Sequence, residues 1–210
     1  GWGWGNDFSC YSSSLTQGNI NERIIVIEPQ FGNEQEEVVN SAELELAEQL
    51  DQVKIETEEV AKRQRRITSQ IGIAHPRESV WQVLTDYESL PQFIPSLEKS
   101  QRLEHPEGEK VRLEQVGKQK LLKMNFSARV VLDLEETQPE RIDFEMVEGD
   151  FKAFSGYWLL EPAQEATQLI YRIFVWPPRT MPVSLIERRL SKDLSLNLVA
   201  IRQRVETVFG

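Results

Sequence analysis

Cysteine is nearly missing from this sequence: Cys10 is the only one in 210 residues. That excludes an internal disulfide and any multi-thiolate metal site, and it fits a reducing compartment without requiring one. Histidine is scarce as well. His75 and His105 each stand immediately before a proline, far apart in the chain, and neither has a partner at metal-ligand spacing. Both are read as surface or turn residues, and no metal or other cofactor is expected. No run of about 18 uncharged apolar residues is present to span a bilayer, so the chain is read as soluble. It begins at Gly1 and not at Met, and is read as a trimmed or processed product. The expected address is cytoplasmic, or an organelle stroma or membrane periphery if a targeting peptide was removed.

An excess of positive charge is missing too. The net charge is −10, and it is unevenly spread: up to Val60 thirteen acids face only Arg23 and Lys54, whereas from Ala61 onward twenty-one acids face twenty-two bases. No strongly basic face is implied, so nucleic acid is not expected as a partner. The cluster Lys62, Arg63, Arg65, Arg66 reads as the solvated entry to a strand, or as an intramolecular counterpart to the acidic leader. Two domains of unequal character follow: an acidic leader over residues 1–60, partly disordered with a short helix, and a folded domain over 61–210.

What is present in strength is periodicity. From Pro182 to Phe209 the apolar residues Val183, Ile186, Leu190, Leu194, Leu198, Ile201, Val205 and Val208 recur at three and four, with Arg188, Lys192, Arg202 and Arg204 between them. This predicts one long amphipathic helix, on the order of 40 Å, with Pro182 at its first turn. The leader is weaker: GWGWGNDFSCYSSS lacks an apolar period, Ile24 to Ile27 is strand-like, Ser41 precedes a short helix over Glu43 to Leu50, and Val53 and Ile55 give a faint strand. Ile67, Ser69, Ile71 and Ile73 alternate as a strand closed by His75-Pro76. A short helix over Ser79 to Thr85 and a second helical piece over Tyr87 to Phe93 come next.

Alternating segments then run to the helix: Leu97 to Glu104, Val111 to Val116, Leu122 to Leu134, Arg141 to Val147, Phe151 to Leu160 and Leu169 to Trp176. Leu122 to Leu134 is the longest, apolar on one face and polar on the other, as a strand with one wet side requires. The expectation is an α+β fold: seven antiparallel strands, two short helices after the first, and a long last helix. Such long strands should bend around the helix and enclose a space.

The stretches VWQVLTDYESLPQFIPSL (Val80 to Leu97), VEGDFKAFSGYW (Val147 to Trp158) and ERRLSKDLSLNLVAIRQRVE (Glu187 to Glu206) resemble the START-like (SRPBCC) superfamily, in particular its polyketide cyclase/dehydrase and coenzyme Q-binding branch. The resemblance covers roughly Arg66 to Val208. It implies a helix-grip fold and a hydrophobic cavity between the sheet and the last helix. Thr85-Asp86-Tyr87 and Pro91-Gln92-Phe93 match the family's first-helix region, where they hold the two helices together and shape a pocket mouth.

The expected lining joins the inward residues of the strands and helix: Leu113, Gln115, Met124, Phe126, Ala128, Phe144, Met146, Trp158, Tyr171, Leu190, Leu194, Asn197 and Leu198. A methionine and aromatic wall accepts flat or flexible apolar molecules. Catalytic equipment is thin. Glu148-Gly149-Asp150 is first a hairpin turn, and Arg189 with Asp193 first a helix-edge pair. The leading expectation is therefore a non-enzymatic binding or carrier module for a quinone, isoprenoid, pigment or lipid. A cyclase or dehydratase is the alternative. A second alternative is an assembly factor that docks on a protein partner or membrane surface through the acidic leader, Trp2, Trp4 and Trp176.

Overall fold

The structure is a computed structural model that describes residues 31–121 and 124–210. Trp2, Trp4, Cys10 and the strand expected at Ile24 to Ile27 lie outside the described residues. The chain divides into two units, Gly1–Asn40 and Ser41–Gly210. The second therefore takes in residues on the leader side of the boundary expected at residue 61.

Eight strands, not seven, form one antiparallel sheet in the order β1-β2-β8-β7-β6-β5-β4-β3. They are β1 (Lys54–Ala61), β2 (Gln64–Ile73), β3 (Leu97–His105), β4 (Gly108–Leu121), β5 (Met124–Thr137), β6 (Arg141–Gly149), β7 (Ala153–Ala163) and β8 (Ala166–Trp176). The additional strand is β1, which pairs with β2 across a tight hairpin. Its sequence KIETEEVA carries charge on both faces and is exposed throughout, so the alternation that marks a half-buried strand is absent. Backbone pairing at a sheet edge holds it instead, and its charged side chains suit an edge that must not aggregate.

Helix α1 (Phe31–Asp51) starts well before the expected Ser41. At its C-terminal end Gln203 Nε2 donates to Gln49 Oε1 at 2.9 Å and Arg202 Nη1 donates to Gln52 Oε1 at 2.7 Å, while Leu50 packs on the core. Leu44 stays exposed. Helix α2 (Arg77–Thr85) buries Val80, Trp81, Val83 and Leu84, and a 3-10 turn over Tyr87–Gln92 follows. Together they carry the chain from β2 to the opposite sheet edge at β3. Helix α3 (Val183–Phe209) follows Pro182, as the periodicity predicts. Ile186, Leu190, Leu194, Leu198, Ile201 and Val205 are buried along it; Val208, in the last turn, is exposed. The result is an open antiparallel sheet with a C-terminal helix across it, an arrangement consistent with a helix-grip fold.

Within the basic cluster, Arg65 and Arg63 hold α3 and the segment that leads into it, and Arg66 pairs with β1. Arg65 Nε donates to Glu187 Oε2 at 2.6 Å, Arg63 Nη2 donates to the carbonyls of Pro178 and Met181 at 2.9 and 2.8 Å, and Arg66 Nη1 reaches Glu58 at 2.7 Å. The outer sheet face is tied by cross-strand charges. Arg112 donates to both oxygens of Asp133, at 2.6 and 2.9 Å, and His105 Nε2 lies 3.2 Å from the same carboxylate. His105 is therefore an interstrand partner and not a bare turn residue.

The Arg112 guanidinium, with His105 beside it, holds the Asp133 carboxyl below its usual range. A carboxyl depressed on folding contributes stability above its unfolded value, about 4, and loses it as pH falls through the folded value. Arg112→Gln is expected to flatten the acid limb of stability below about pH 4, measured as Tm against pH; an unchanged limb would place the acid sensitivity elsewhere.

Candidate functional site

The core divides along α3. Leu198, Val199, Ile201 and Val205 pack with α2, the 3-10 turn and the inner residues of β2 and β8. Ile186, Leu190 and Leu194 pack with Ile67, Val130, Phe144, Phe151, Ile173 and Val175. Between these two masses lies an apolar cavity of about 160 Å³, walled by β4 to β8, the 3-10 turn and α3. It exists because the inward positions of neighbouring strands alternate large with small: Ala128 and Gly117 face each other across β4 and β5, where bulkier side chains would fill the space.

Nine of the expected residues meet on this wall: Leu113, Gln115, Ala128, Phe144, Trp158, Tyr171, Leu190, Leu194 and Asn197. Two do not reach it. Leu198 is fully buried in the packed end of the core, and Met146 sits at the edge of the other cluster, its sulfur close to Gly149. The side chains of Met124 and Phe126 lie outside the described residues.

An aromatic series runs along one wall. Trp158 stacks on Tyr171 with centroids 3.7 Å apart and planes at 4°; Phe144 stands 6.0 Å from Tyr171 and 5.8 Å from Phe154, which stacks on Phe151 at 5.6 Å. Flat faces at these separations favour planar guests. Polar groups are few. Ser96 Oγ donates to Asn197 Oδ1 at 3.0 Å, and Gln115 Nε2 donates to Ser100 Oγ at 3.2 Å. Tyr87 closes the wall from the 3-10 turn and donates its phenol to Glu136 on β5, with the Arg102 guanidinium over its ring. Burial, reinforced by the Glu136 carboxylate, pushes the Tyr87 phenol far up. Burial alone does the same to Tyr171, so both phenols stay protonated at physiological pH.

The sequence reading missed Asp193. It is buried, lies on the cavity wall, and has its carboxyl raised by that burial against the lowering effect of Arg189. The signal was present: Leu190, Asp193 and Asn197 are spaced at three and four, on one helical face. The Arg189 pair does form, with Nε 3.2 Å from the carboxylate. Glu148 and Asp150 belong to the hairpin region as expected, bound to Arg129 through its guanidinium and its backbone N–H respectively.

A second, larger depression of about 900 Å³ is lined by His105, Asp133, Glu135, Asp143 and Tyr157 among others and is more polar. Its His105 and Asp133 are paired across the strands and its Asp143 with Arg141 on the same strand, and its lining is the less apolar of the two, so the apolar cavity is the better candidate. Among the described residues no cluster of three or more metal-ligating side chains occurs, and no helix is long and apolar enough to cross a membrane.

Comparison with known proteins agrees with this geometry. Residues 73–199 match the family described as polyketide cyclase / dehydrase and lipid transport. A curated relative, the ribosome association toxin RatA of Escherichia coli (strain K12), is 29% identical over 141 residues, 66% of this chain and 85% of that protein. The STAR-related lipid transfer protein of Xanthomonas axonopodis superposes with a TM-score of 0.61 at 15% identity, covering 74% of this chain and 94% of that one. The Zhui aromatase/cyclase from Streptomyces sp. R1128 gives a TM-score of 0.58 at 18% identity, covering 68% and 94%. These structural likenesses concern the fold.

Proposed function

We propose, from the premise that this chain belongs to the polyketide cyclase / dehydrase and lipid transport family, that it is a binding or carrier module for a hydrophobic small molecule held between the sheet and α3. The observation that carries the reading is the apolar cavity with its stacked aromatic wall. Its volume of about 160 Å³ suits a guest of one or two fused rings or a short chain; a long isoprenoid or lipid needs the 3-10 turn to move. Burying about 300 Å² of apolar ligand contributes roughly 7 kcal/mol before ordering costs, less than the ~8 kcal/mol of micromolar binding, so ring stacking and hydrogen bonding on the wall must add to it.

The test is titration with menadione, a two-ring quinone, together with mass spectrometry of whatever an organic extract removes from the protein. Saturable binding is expected, and Ala128→Phe, which fills the cavity from β5, is expected to weaken it at least about tenfold at a stability cost of about 1–3 kcal/mol. Binding unaffected by that variant would move the ligand elsewhere.

A cyclase or dehydratase is the second reading. It is favoured by the three ionisable side chains on the wall, Asp193, Tyr87 and Tyr171, and it demands a product that differs from the ligand bound. Ribosome association belongs to the curated relative; for this chain it is a partner reading that co-sedimentation with ribosomes would decide. The leader remains the proposed docking element for a protein or membrane surface, and deleting residues 1–40, which spares β1 and the unit Ser41–Gly210, tests it.

A further inference from the structure

The Asp193 carboxylate is short of hydrogen-bond donors. A carboxylate has about four lone-pair sites, and buried ones normally fill them. Asp193 has a side chain 6% exposed and, among the described residues, a single N–H for both oxygens. Arg189 Nε lies 3.2 Å from Oδ1 and 3.2 Å from Oδ2, one donor shared in a long fork. Lys192 acts on it only through its charge. The other polar groups on the wall are spoken for: Ser96 is bonded to Asn197, Gln115 to Ser100 and Tyr87 to Glu136. The exceptions are the Tyr171 hydroxyl, the Trp158 indole N–H and the Asn197 amide nitrogen, none of which has a hydrogen bond among the described residues; the first two belong to rings stacked on each other.

A fixed, under-supplied acceptor opening on an apolar cavity with aromatic walls defines the missing piece: a flat apolar body with an O–H or N–H at one end. We infer that the ligand of this cavity is a small planar aromatic carrying a hydrogen-bond donor, of the phenol or arylamine class, and that Asp193 receives that donor. This rests on the reading that the cavity holds a hydrophobic guest, and it sharpens that reading. A purely hydrocarbon guest leaves the carboxylate under-supplied and desolvated, a costly arrangement. A guest with only acceptors, menadione included, binds through its apolar body with its carbonyls turned from Asp193 and leaves the carboxylate unserved, so it binds more weakly than a donor-bearing guest of the same shape. Tyr171, able to donate or accept, serves a second polar substituent.

The probes are 2-naphthol and 2-methylnaphthalene, equal in shape and different only in the donor. Their Kd values are measured on the full chain and on Asp193→Leu and Asp193→Asn, and the ratio of the two Kd values in each protein cancels general hydrophobicity. The expected result is a ratio that moves toward 2-methylnaphthalene by at least about tenfold in Asp193→Leu, and by less in Asp193→Asn, which keeps a neutral acceptor. The unaltered protein gives a second readout. 2-Naphthol excited in a dry pocket emits as the neutral phenol unless a base touches its hydroxyl, so naphtholate emission from bound probe is expected. An unchanged ratio in both variants, or neutral emission alone, overturns the assignment of Asp193 while leaving the carrier reading standing. Failure of the unaltered protein to bind either probe overturns both.

Discussion

Leu194→Asp is expected to unfold the domain, or to cost about 4 kcal/mol or more. Leu194 is 3% exposed, packs in the cluster formed with Ile67, Phe144 and Ile173, and lines the cavity. A carboxylate there sits one helical position after Asp193, which already takes the Arg189 guanidinium. Two acids beside one partly exposed arginine cannot both be neutralised, and the new one is left as an uncompensated buried charge. Circular dichroism and thermal unfolding check this. A Tm within a few degrees of the unaltered protein would show that the α3 face turned to the sheet is not the one described. Leu194→Ala separates charge from volume. It removes apolar contacts next to an existing cavity, and is expected to cost nearer 2 kcal/mol.

The reason this residue was legible in sequence, and Asp193 beside it was not, is the same in both cases. The α3 stripe repeats so regularly that Leu194 has one reading, and Ile186, Leu190, Leu198 and Ile201 are all buried with it. Asp193 shares that face, but its charge invites a surface assignment and Arg189 four residues earlier supplies a conventional partner. Only tertiary structure reveals that the strands opposite carry Ala128 and Gly117, small enough to leave space where an acid can stand.

The eighth strand shows in the sequence only as the faint alternation around Val53 and Ile55, for a related reason. Pattern reading detects burial, and β1 is held by backbone pairing to β2 with little burial of its own. Tyr87 falls between these cases. The family resemblance placed it near a pocket mouth, whereas its bond to Glu136, across 49 residues of sequence, leaves no local trace. Fold was therefore readable wherever one face of an element is wet and the other dry. The site was readable for its apolar members and unreadable for the polar group that sets its chemistry.

Gly156→Ala is the second large effect, and it tests whether the bend of the sheet makes the cavity. Gly156 lies in β7 opposite Phe144 on β6 and Ile173 on β8. A Cβ built on it would stand 1.9 Å from the Arg172 carbonyl oxygen and 2.8 Å from the Phe144 ring, distances no real contact sustains. The Arg172 carbonyl belongs to the backbone of β8, so relief requires one strand to move. A glycine at such a close approach lets the sheet turn inward. One methyl group must therefore flatten the β7–β8 region or push Phe144 into the cavity. The expected cost is about 3 kcal/mol, seen as a lower urea midpoint, with menadione affinity falling as the aromatic wall shifts. Gly117→Ala is the control on the same cavity. Its Cβ would find its nearest atoms at 3.6 and 3.9 Å, ordinary contact, and loss of glycine's backbone freedom should leave stability unchanged or raise it by about 0.5–1 kcal/mol. Equal destabilisation by both variants would mean that any side chain at these strands is harmful and that the bend at Gly156 has no special part. Destabilisation confined to Gly156→Ala ties the cavity to one missing side chain.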